Sequence, residues 1–282
     1  MKVSIVVPTF NRIKDLAELF DSILNQTILP VEVILVDDTP SDEVKLLCEG
    51  RKSDFLAKGI KLLYLRNPKN RSAATARNVG AEFATGDILL FLDSDVILLP
   101  NYVEEILRVF KEKPDAVGVS GYMVNVAESA QRDRLLRMKN IFRRIFRYGY
   151  RHIPNKCGLG EYPVPLTRVI PCQWLSGSNV AYKREVFLNF RFDENLGDYS
   201  YMEDLLLSYT IYKAYQGGLY ITPSAKCVHK QSPKPSYNIA LDKHKNTCRK
   251  YVLRKLFGWR GLLLYYWQNI GMYLAVFLDR LG

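Results

Sequence analysis

Residues 88–95 read Ile88-Leu89-Leu90-Phe91-Leu92-Asp93-Ser94-Asp95, a run of apolar side chains closed by two carboxylates. An apolar run without polar alternation is the pattern of a strand buried on both faces, and such strands belong to parallel sheets covered by helices. Ligands of those sheets bind beyond the carboxyl ends of the strands. That is where Asp93 and Asp95 fall. Side chains two apart on an extended backbone point the same way, so both carboxylates face one site. Two hard oxygen ligands there suit Mg2+ or Mn2+ held together with substrate phosphates. A lone Asp-x-Asp is a common tripeptide; its place at the end of a buried strand gives it meaning.

Upstream, residues 3–7 form a β-branched run that ends in the turn Pro8-Thr9-Phe10-Asn11. Ile13, Leu16, Ala17, Phe20, Ile23 and Leu24 then recur at helical spacing. Residues 31–36 are a second apolar run, closed by Asp37-Asp38. Thr39-Pro40 with Asp42 reads as a cap, a first-turn proline and a capping box for a helix to Lys58, stopped by Gly59. The pattern predicts a third strand at 60–65, a small-residue helix at 72–84 ended by Gly86, and a helix at 100–113 before Pro114. Strands alternating with helices in this way predict an α/β, doubly wound, mostly parallel sheet.

The second half is less regular. It predicts a strand at 117–126, a basic amphipathic stretch at 132–150 and a proline-containing loop at 158–171. Strand character returns at 176–182, followed by a helix at 202–215 stopped by Gly217-Gly218 and a short strand near 219–222.

A chain of 282 residues holds one large α/β domain with appendages, or two smaller domains. Its 48% apolar and 24% charged residues are those of a globular protein and exclude disorder. The net charge of +11 is concentrated near 130–156 and 226–260, which implies an anionic partner. Five scattered cysteines without a Cys-x-x-Cys pair exclude a zinc or dense disulfide framework and point to a reducing compartment. The first apolar run is too short for a signal peptide, so a cytoplasmic protein is expected.

Three further groups carry chemistry. Arg71 and Arg77 bracket small residues at a helix start, where backbone approaches closely, the helix end favours anions, and an arginine forks onto a diphosphate. Glu203-Asp204 opens a helix, where acids complement the dipole or one serves as a general base. His229 is either structural or the imidazole that completes a metal site.

In order along the chain, VSIVVPTFNR (3–12), VEVILVDD (31–38), AATARNVGAEFATGD (73–87), FLDSD (91–95), WLSGSNVAYKREVF (174–187), FDENL (192–196), MEDLLLSYTIYKAYQGG (202–218) and SAKCVH (224–229) resemble family 2 glycosyltransferases of the GT-A fold. The resemblance implies an inverting, metal-dependent glycosyltransferase. Pro8, Thr9, Asn11, Arg12 and Asp38 match positions around the nucleoside, Arg71 and Arg77 positions near the diphosphate, and Asp93, Ser94 and Asp95 the metal and ribose segment. His229 matches a position that completes the metal site, and Asp204 the catalytic base. Trp174, Ser176, Gly177, Ser178, Asn179 and Glu203 fall on the acceptor side. The implied cofactor is Mn2+ or Mg2+, and the implied donor a UDP- or GDP-sugar. The chain lacks a Q-x-x-R-W after the Glu-Asp helix, which separates it from processive polysaccharide synthases.

The resemblance implies a catalytic domain over 1–230, with a donor half at 1–116, an acceptor half at 117–230 and an insertion near 127–171. Residues 231–282 form a helical tail. In the insertion, Leu135, Met138, Ile141, Phe142, Ile145 and Phe146 lie mainly opposite Arg134, Arg137, Arg143, Arg144 and Arg147, the pattern of a helix lying on anionic headgroups or of an amphipathic helix packed on its own domain. Residues 262–278 are apolar and aromatic but carry Gln268-Asn269, so an interfacial or re-entrant helix, an oligomer contact, or packing on the domain itself is expected rather than a span. A peripheral protein on the cytosolic face would glycosylate a lipid-linked acceptor. The competing readings are a sugar-phosphate nucleotidyltransferase, whose glycine-rich first loop is lacking here, a basic nucleic-acid-binding protein, for which no motif is present, and a non-catalytic scaffold.

Overall fold

The computed structural model describes residues 1–68, 72–125, 145–146, 166–197, 200–230 and 239–279. Arg71 and nearly all of the basic stretch at 132–150 lie outside these residues. The order of elements opens as β1 (Val3–Thr9), α1 (Ile13–Leu24), β2 (Glu32–Asp37), α2 (Glu43–Ala57), β3 (Lys61–Arg66), α3 (Ala73–Phe83) and β4 (Ile88–Leu92). It continues with β5 (Val96–Leu98), α4 (Tyr102–Glu112), β6 (Gly118–Met123), β7 (Ile170–Pro171), β8 (Asn179–Lys183) and α5 (Glu203–Tyr215). Strand β9 (Leu219–His229) and helices α6 (Ile239–Phe257) and α7 (Trp259–Asp279) complete it.

One sheet in the order β3-β2-β1-β4-β8-β6-β9-β5 runs through the domain, with β7 paired to β9. The first four strands are parallel, as their apolar runs predict. From β4 onward the sheet is mixed: β8 lies antiparallel between β4 and β6, and β9 pairs parallel with β6 but antiparallel with β5. Alternation along the parallel strands supplies two cores. Ile5, Val7, Val33, Leu35, Leu90 and Leu92 face α1, α2 and α4, meeting Phe20, Phe55 and Tyr102. Val6, Ile34, Val36, Leu89 and Phe91 face α3 and α5, meeting Ala74, Ala76, Leu207 and Ile211.

Small residues in α3 let that helix close on the sheet. A Cβ on Gly80 would meet Val6 Cγ1 at 2.3 Å. Val6 is β-branched and fully buried, so it has little room to turn away. Gly80→Ala is expected to lower stability by about 1–3 kcal/mol through overpacking, read as the denaturant midpoint with an unchanged slope.

The start of α2 differs from the sequence expectation. Its cap is Asp42, not Thr39, and the helix begins at Glu43. Thr39 is held by β2 and β3 instead: Asp37 Oδ1 accepts its backbone N–H (2.8 Å) and Arg66 donates to its carbonyl. Those contacts fix Thr39-Pro40 as a turn before the helix. The expected strand at 117–126 ends at Met123, the short strand near 219–222 extends to His229, and β5 follows the acidic pair directly.

Candidate functional site

The acidic pair sits where β4 gives way to β5. Asp93 N–H donates to the Ser178 carbonyl (3.0 Å) and Val96 N–H returns to the Asp93 carbonyl (3.2 Å), a turn that holds Asp93 and Asp95 beyond the sheet. Register then brings in the third group. Val96 of β5 pairs with His229 of β9, and Lys230 N–H donates to the Asp95 carbonyl (2.9 Å). Antiparallel pairing thus brings His229 beside residues more than a hundred positions earlier.

Each carboxylate divides its oxygens. Asp93 Oδ1 accepts from Arg77 Nη2 (2.8 Å), while Oδ2 lies 3.9 Å from His229 Nε2. Asp95 Oδ2 accepts from Arg12 Nη1 (2.5 Å), while Oδ1 lies 3.2 Å from His229 Nε2. One arginine on each side therefore turns one oxygen of each acid toward the imidazole. Candidate ligand atoms of Asp93, Asp95 and His229 lie within 4.8 Å of one another. Two carboxylate oxygens and an imidazole are a donor set that Mn2+ accepts readily and Mg2+ less so.

His229 is also held from behind. The Asn125 amide donates Nδ2–H to the His229 carbonyl (2.6 Å), and its Oδ1 accepts the His229 N–H (3.1 Å). This side chain takes the place of a neighbouring strand. No local sequence pattern announces Asn125, because its role depends on the arrival of β9.

On the opposite wall, α5 starts after Met202, whose φ of 69° is in the left-handed region. That sharp entry places Glu203 and Asp204 in the first turn. Asp204 Oδ2 accepts the Gly177 N–H (2.9 Å) and Oδ1 accepts the Leu205 N–H (2.8 Å). Burial pushes the Asp204 carboxyl above the usual range, and the nearby charge of Asp93 adds to this, while the two amides and Arg77 pull it back. The Glu203 carboxylate accepts from Arg77 Nη1 (2.6 Å). Burial and the charge of Asp204 push Glu203 up to about 7, with Arg77 acting against both.

Arg77 is 3% exposed. It lies near the Phe192 ring, bridges Glu203 to Asp93, and also donates to the Gly177 carbonyl (3.3 Å). The sequence expectation placed it near a diphosphate; its guanidinium is committed to two carboxylates of the protein. A cavity of about 400 Å3 opens between the two walls, lined by Arg77, Asp93, Trp174, Ser176, Glu203 and Asp204 among others.

Pro8 and Thr9 end β1 next to Asp37 at the end of β2, and both are buried. The Thr9 hydroxyl has no hydrogen-bond partner among the described residues. Asn11 is exposed with φ 53°, and its N–H donates to Thr39 Oγ1 (2.9 Å). Asp38 is half-buried and accepts from Asn67 Nδ2 (2.9 Å), whereas Asp37 is fully buried and structural. Ser94 is buried within the acidic turn. Asn179, expected on the acceptor side, is fully buried in β8, where Ser120 and Cys227 hold its side chain. It is absent from the cavity lining, as are Gly177 and Ser178.

A family model described as glycosyl transferase family 2 matches residues 4–160, more than half of the chain. The chain belongs to glycosyl transferase family 2. A glucosyl-dolichyl phosphate glucuronosyltransferase of Haloferax volcanii is 30% identical over 200 residues, 70% of this chain and 58% of that protein. Glycosyltransferase GlyG of Streptococcus pneumoniae is 35% identical over 127 residues, 45% of this chain and 40% of that protein. The chain thus spans less than two thirds of the length of these relatives. Among solved structures, the mannosyltransferase PcManGT from Pyrobaculum calidifontis, in complex with GDP-Man and Mn2+, superposes with a TM-score of 0.61 at 18% identity. That match covers 100% of this chain and 76% of the other. S. aureus TarS 1-349 in complex with UDP gives 0.56 at 19% identity, covering 90% and 64%. At such identities the likeness is one of fold, and the fold is the GT-A arrangement expected from the sequence.

Proposed function

We propose that this family 2 chain is an inverting glycosyltransferase that moves a sugar from a UDP- or GDP-sugar to an acceptor at the membrane surface. The observation that carries the proposal is the shared cavity: Asp93, whose second oxygen faces His229, lies on one wall, and Asp204 on the other. The donor set of Asp93, Asp95 and His229 fits Mn2+. When bound there, the cation supplies charge neutralisation for the departing nucleoside diphosphate. The ends of β1 and β2, with the unpaired Thr9 hydroxyl and Asp38, would hold the nucleoside. Asp204 would take the proton of the acceptor hydroxyl as that oxygen attacks the anomeric carbon from the face opposite the leaving group, so configuration inverts.

The Haloferax relative is named for transfer onto a glucosyl-dolichyl phosphate. Together with the net charge of +11, this supports a lipid-linked acceptor and a peripheral place on the cytosolic face. Residues 1–116 would then serve the donor and 117–230 the acceptor.

The test is to incubate the protein with UDP- and GDP-sugars, Mn2+ and lipid-linked acceptors, and to follow the released product. Nucleoside diphosphate with an inverted glycoside supports the reading; pyrophosphate would assign nucleotidyl transfer instead. Removal of Asn125 gives a finer check, because it frees the His229 backbone without touching any ligand atom. Asn125→Ala is expected to weaken Mn2+ binding by about 10–100-fold, measured by titration of the Mn2+ paramagnetic signal.

A further inference from the structure

Among the described residues, helix α7 is packed on one side. Gln268 is buried and Arg249 of α6 bonds to Asn269, while Trp267 Nε1–H donates to the Ile145 carbonyl (3.0 Å) and the Phe146 ring packs tilted against the Trp267 ring, their centres 4.9 Å apart. Gly271 permits this approach, since a Cβ there would meet Phe146 at 2.2 Å. The other side is open: Trp259 is 66% exposed, Leu263 61%, Tyr266 53%, Ile270 49%, Tyr273 77% and Leu274 41%. At about 100° per residue these positions fall within one third of the helix circumference, and the stripe runs about 22 Å along the axis. Scattered exposed apolar residues mean little; a continuous aromatic stripe on one helix face marks a contact surface.

Its borders are cationic. Lys250 Nζ stands 5.5 Å from the centre of the Tyr266 ring and Arg260 lies over Trp259 at 5.5 Å. Lys243, Lys250 and Arg254 are exposed on α6 beside it. Tyrosine and tryptophan at the level of headgroups with lysine and arginine alongside suit an anionic bilayer. A second copy of the same face would bring these like charges together across a two-fold contact. No helix among the described residues is long and apolar enough to cross a membrane.

We propose that the open face of α7 lies in the interface of an anionic bilayer, with Lys250, Arg254 and Arg260 meeting its phosphates. The proposal deepens the reading of a lipid-linked acceptor and gives it a structural route. Helix α6, which carries α7, packs through Cys248 and Val252 against Leu196, Met202 and Leu205, the last two close to Asp204 on either side in the chain. A bilayer bound at α7 therefore rests on the support of the acceptor wall.

The experiment uses the full chain and vesicles of phosphatidylcholine with or without phosphatidylglycerol, in the absence of donor and acceptor, so it fails separately from the transfer assay. The native protein is expected to sediment with phosphatidylglycerol vesicles and to be released by salt. The triple variant Leu263→Ser, Ile270→Ser, Leu274→Ser changes only exposed side chains and is expected to lose at least 10-fold in vesicle affinity. The double variant Lys250→Glu, Arg254→Glu is expected to lose affinity for anionic vesicles selectively. Unchanged binding in the triple variant overturns the proposal. So does a native protein that ignores vesicles and dimerises through this face, with the triple variant monomeric in analytical ultracentrifugation.

Discussion

Replacement of Asp204 by Asn is expected to lower sugar transfer by about 100- to 10,000-fold while nucleotide affinity persists, the range for loss of a positioned general base. The effect is large because, among the described residues that line the cavity, the other two carboxylates, Asp93 and Glu203, are both paired with Arg77. Glu203 is its neighbour in sequence, yet its side chain turns to Arg77 and not to the Gly177 amide. Asp204 is held by two N–H donors, one on each oxygen. Oxygen lone pairs beyond these remain for an acceptor hydroxyl, and the elevated proton affinity caused by burial makes the carboxylate a stronger base than an exposed aspartate. An amide accepts through one oxygen only, and its NH2 would face the other backbone donor, so a modest loss of stability accompanies the loss of rate. The decisive measurement pairs turnover with the Kd for UDP or GDP. Unchanged turnover sinks Asp204 as the base, and parallel loss of nucleotide binding would mean that the site has collapsed. In the native protein, transfer is expected to rise with pH through a value above that of an ordinary aspartate, and the variant is expected to lose that limb.

The half of the fold that was legible in the sequence is the half built from local signals. Residues 3–7, 31–36, 60–65 and 88–92 are predominantly apolar runs between helical segments, and four parallel strands follow from them with few alternatives. Strand β5 was invisible because Val96–Leu98 has only three residues and exists through its pairing with β9. The Thr39-Pro40 signal failed as a helix start because Asp37 and Arg66, from two different strands, captured the turn. The candidate site divides in the same way. Asp93 and Asp95 declare themselves by position at a strand end. Asn125 does not, since its worth lies in contacts with a backbone about a hundred residues away. Arg77 was legible as a charged group near the site, but its burial against Glu203 depends on the left-handed turn at Met202.

That burial makes Arg77 the position where stability and chemistry are most tightly joined. Arg77→Met keeps an unbranched apolar stem but removes the cation that bridges Glu203 and Asp93. Taking away one partner of a buried ion pair leaves the other charge without compensation, at a cost of about 3–5 kcal/mol. For a protein of this size, such a loss corresponds to a fall in Tm on the order of 10 °C. Glu203 gives the variant a distinctive pH dependence. Its proton affinity in the folded native protein, pushed up to about 7, exceeds the ordinary value of 4.5. The folded chain therefore binds more protons than the unfolded chain between those values, and the contribution of Glu203 to stability falls as pH rises through that window. Without Arg77 its proton affinity rises further and the window extends upward. The deficit of Arg77→Met relative to the native protein is accordingly expected to widen between about pH 6 and about pH 8, read by thermal unfolding at both. The second change, Glu203→Gln in the same chain, removes the carboxylate that lost its partner and is expected to recover part of the deficit at the higher pH. A deficit that is flat with pH, or that Glu203→Gln leaves untouched, would place the loss in packing against Phe192 rather than in the bridge between the two walls of the site.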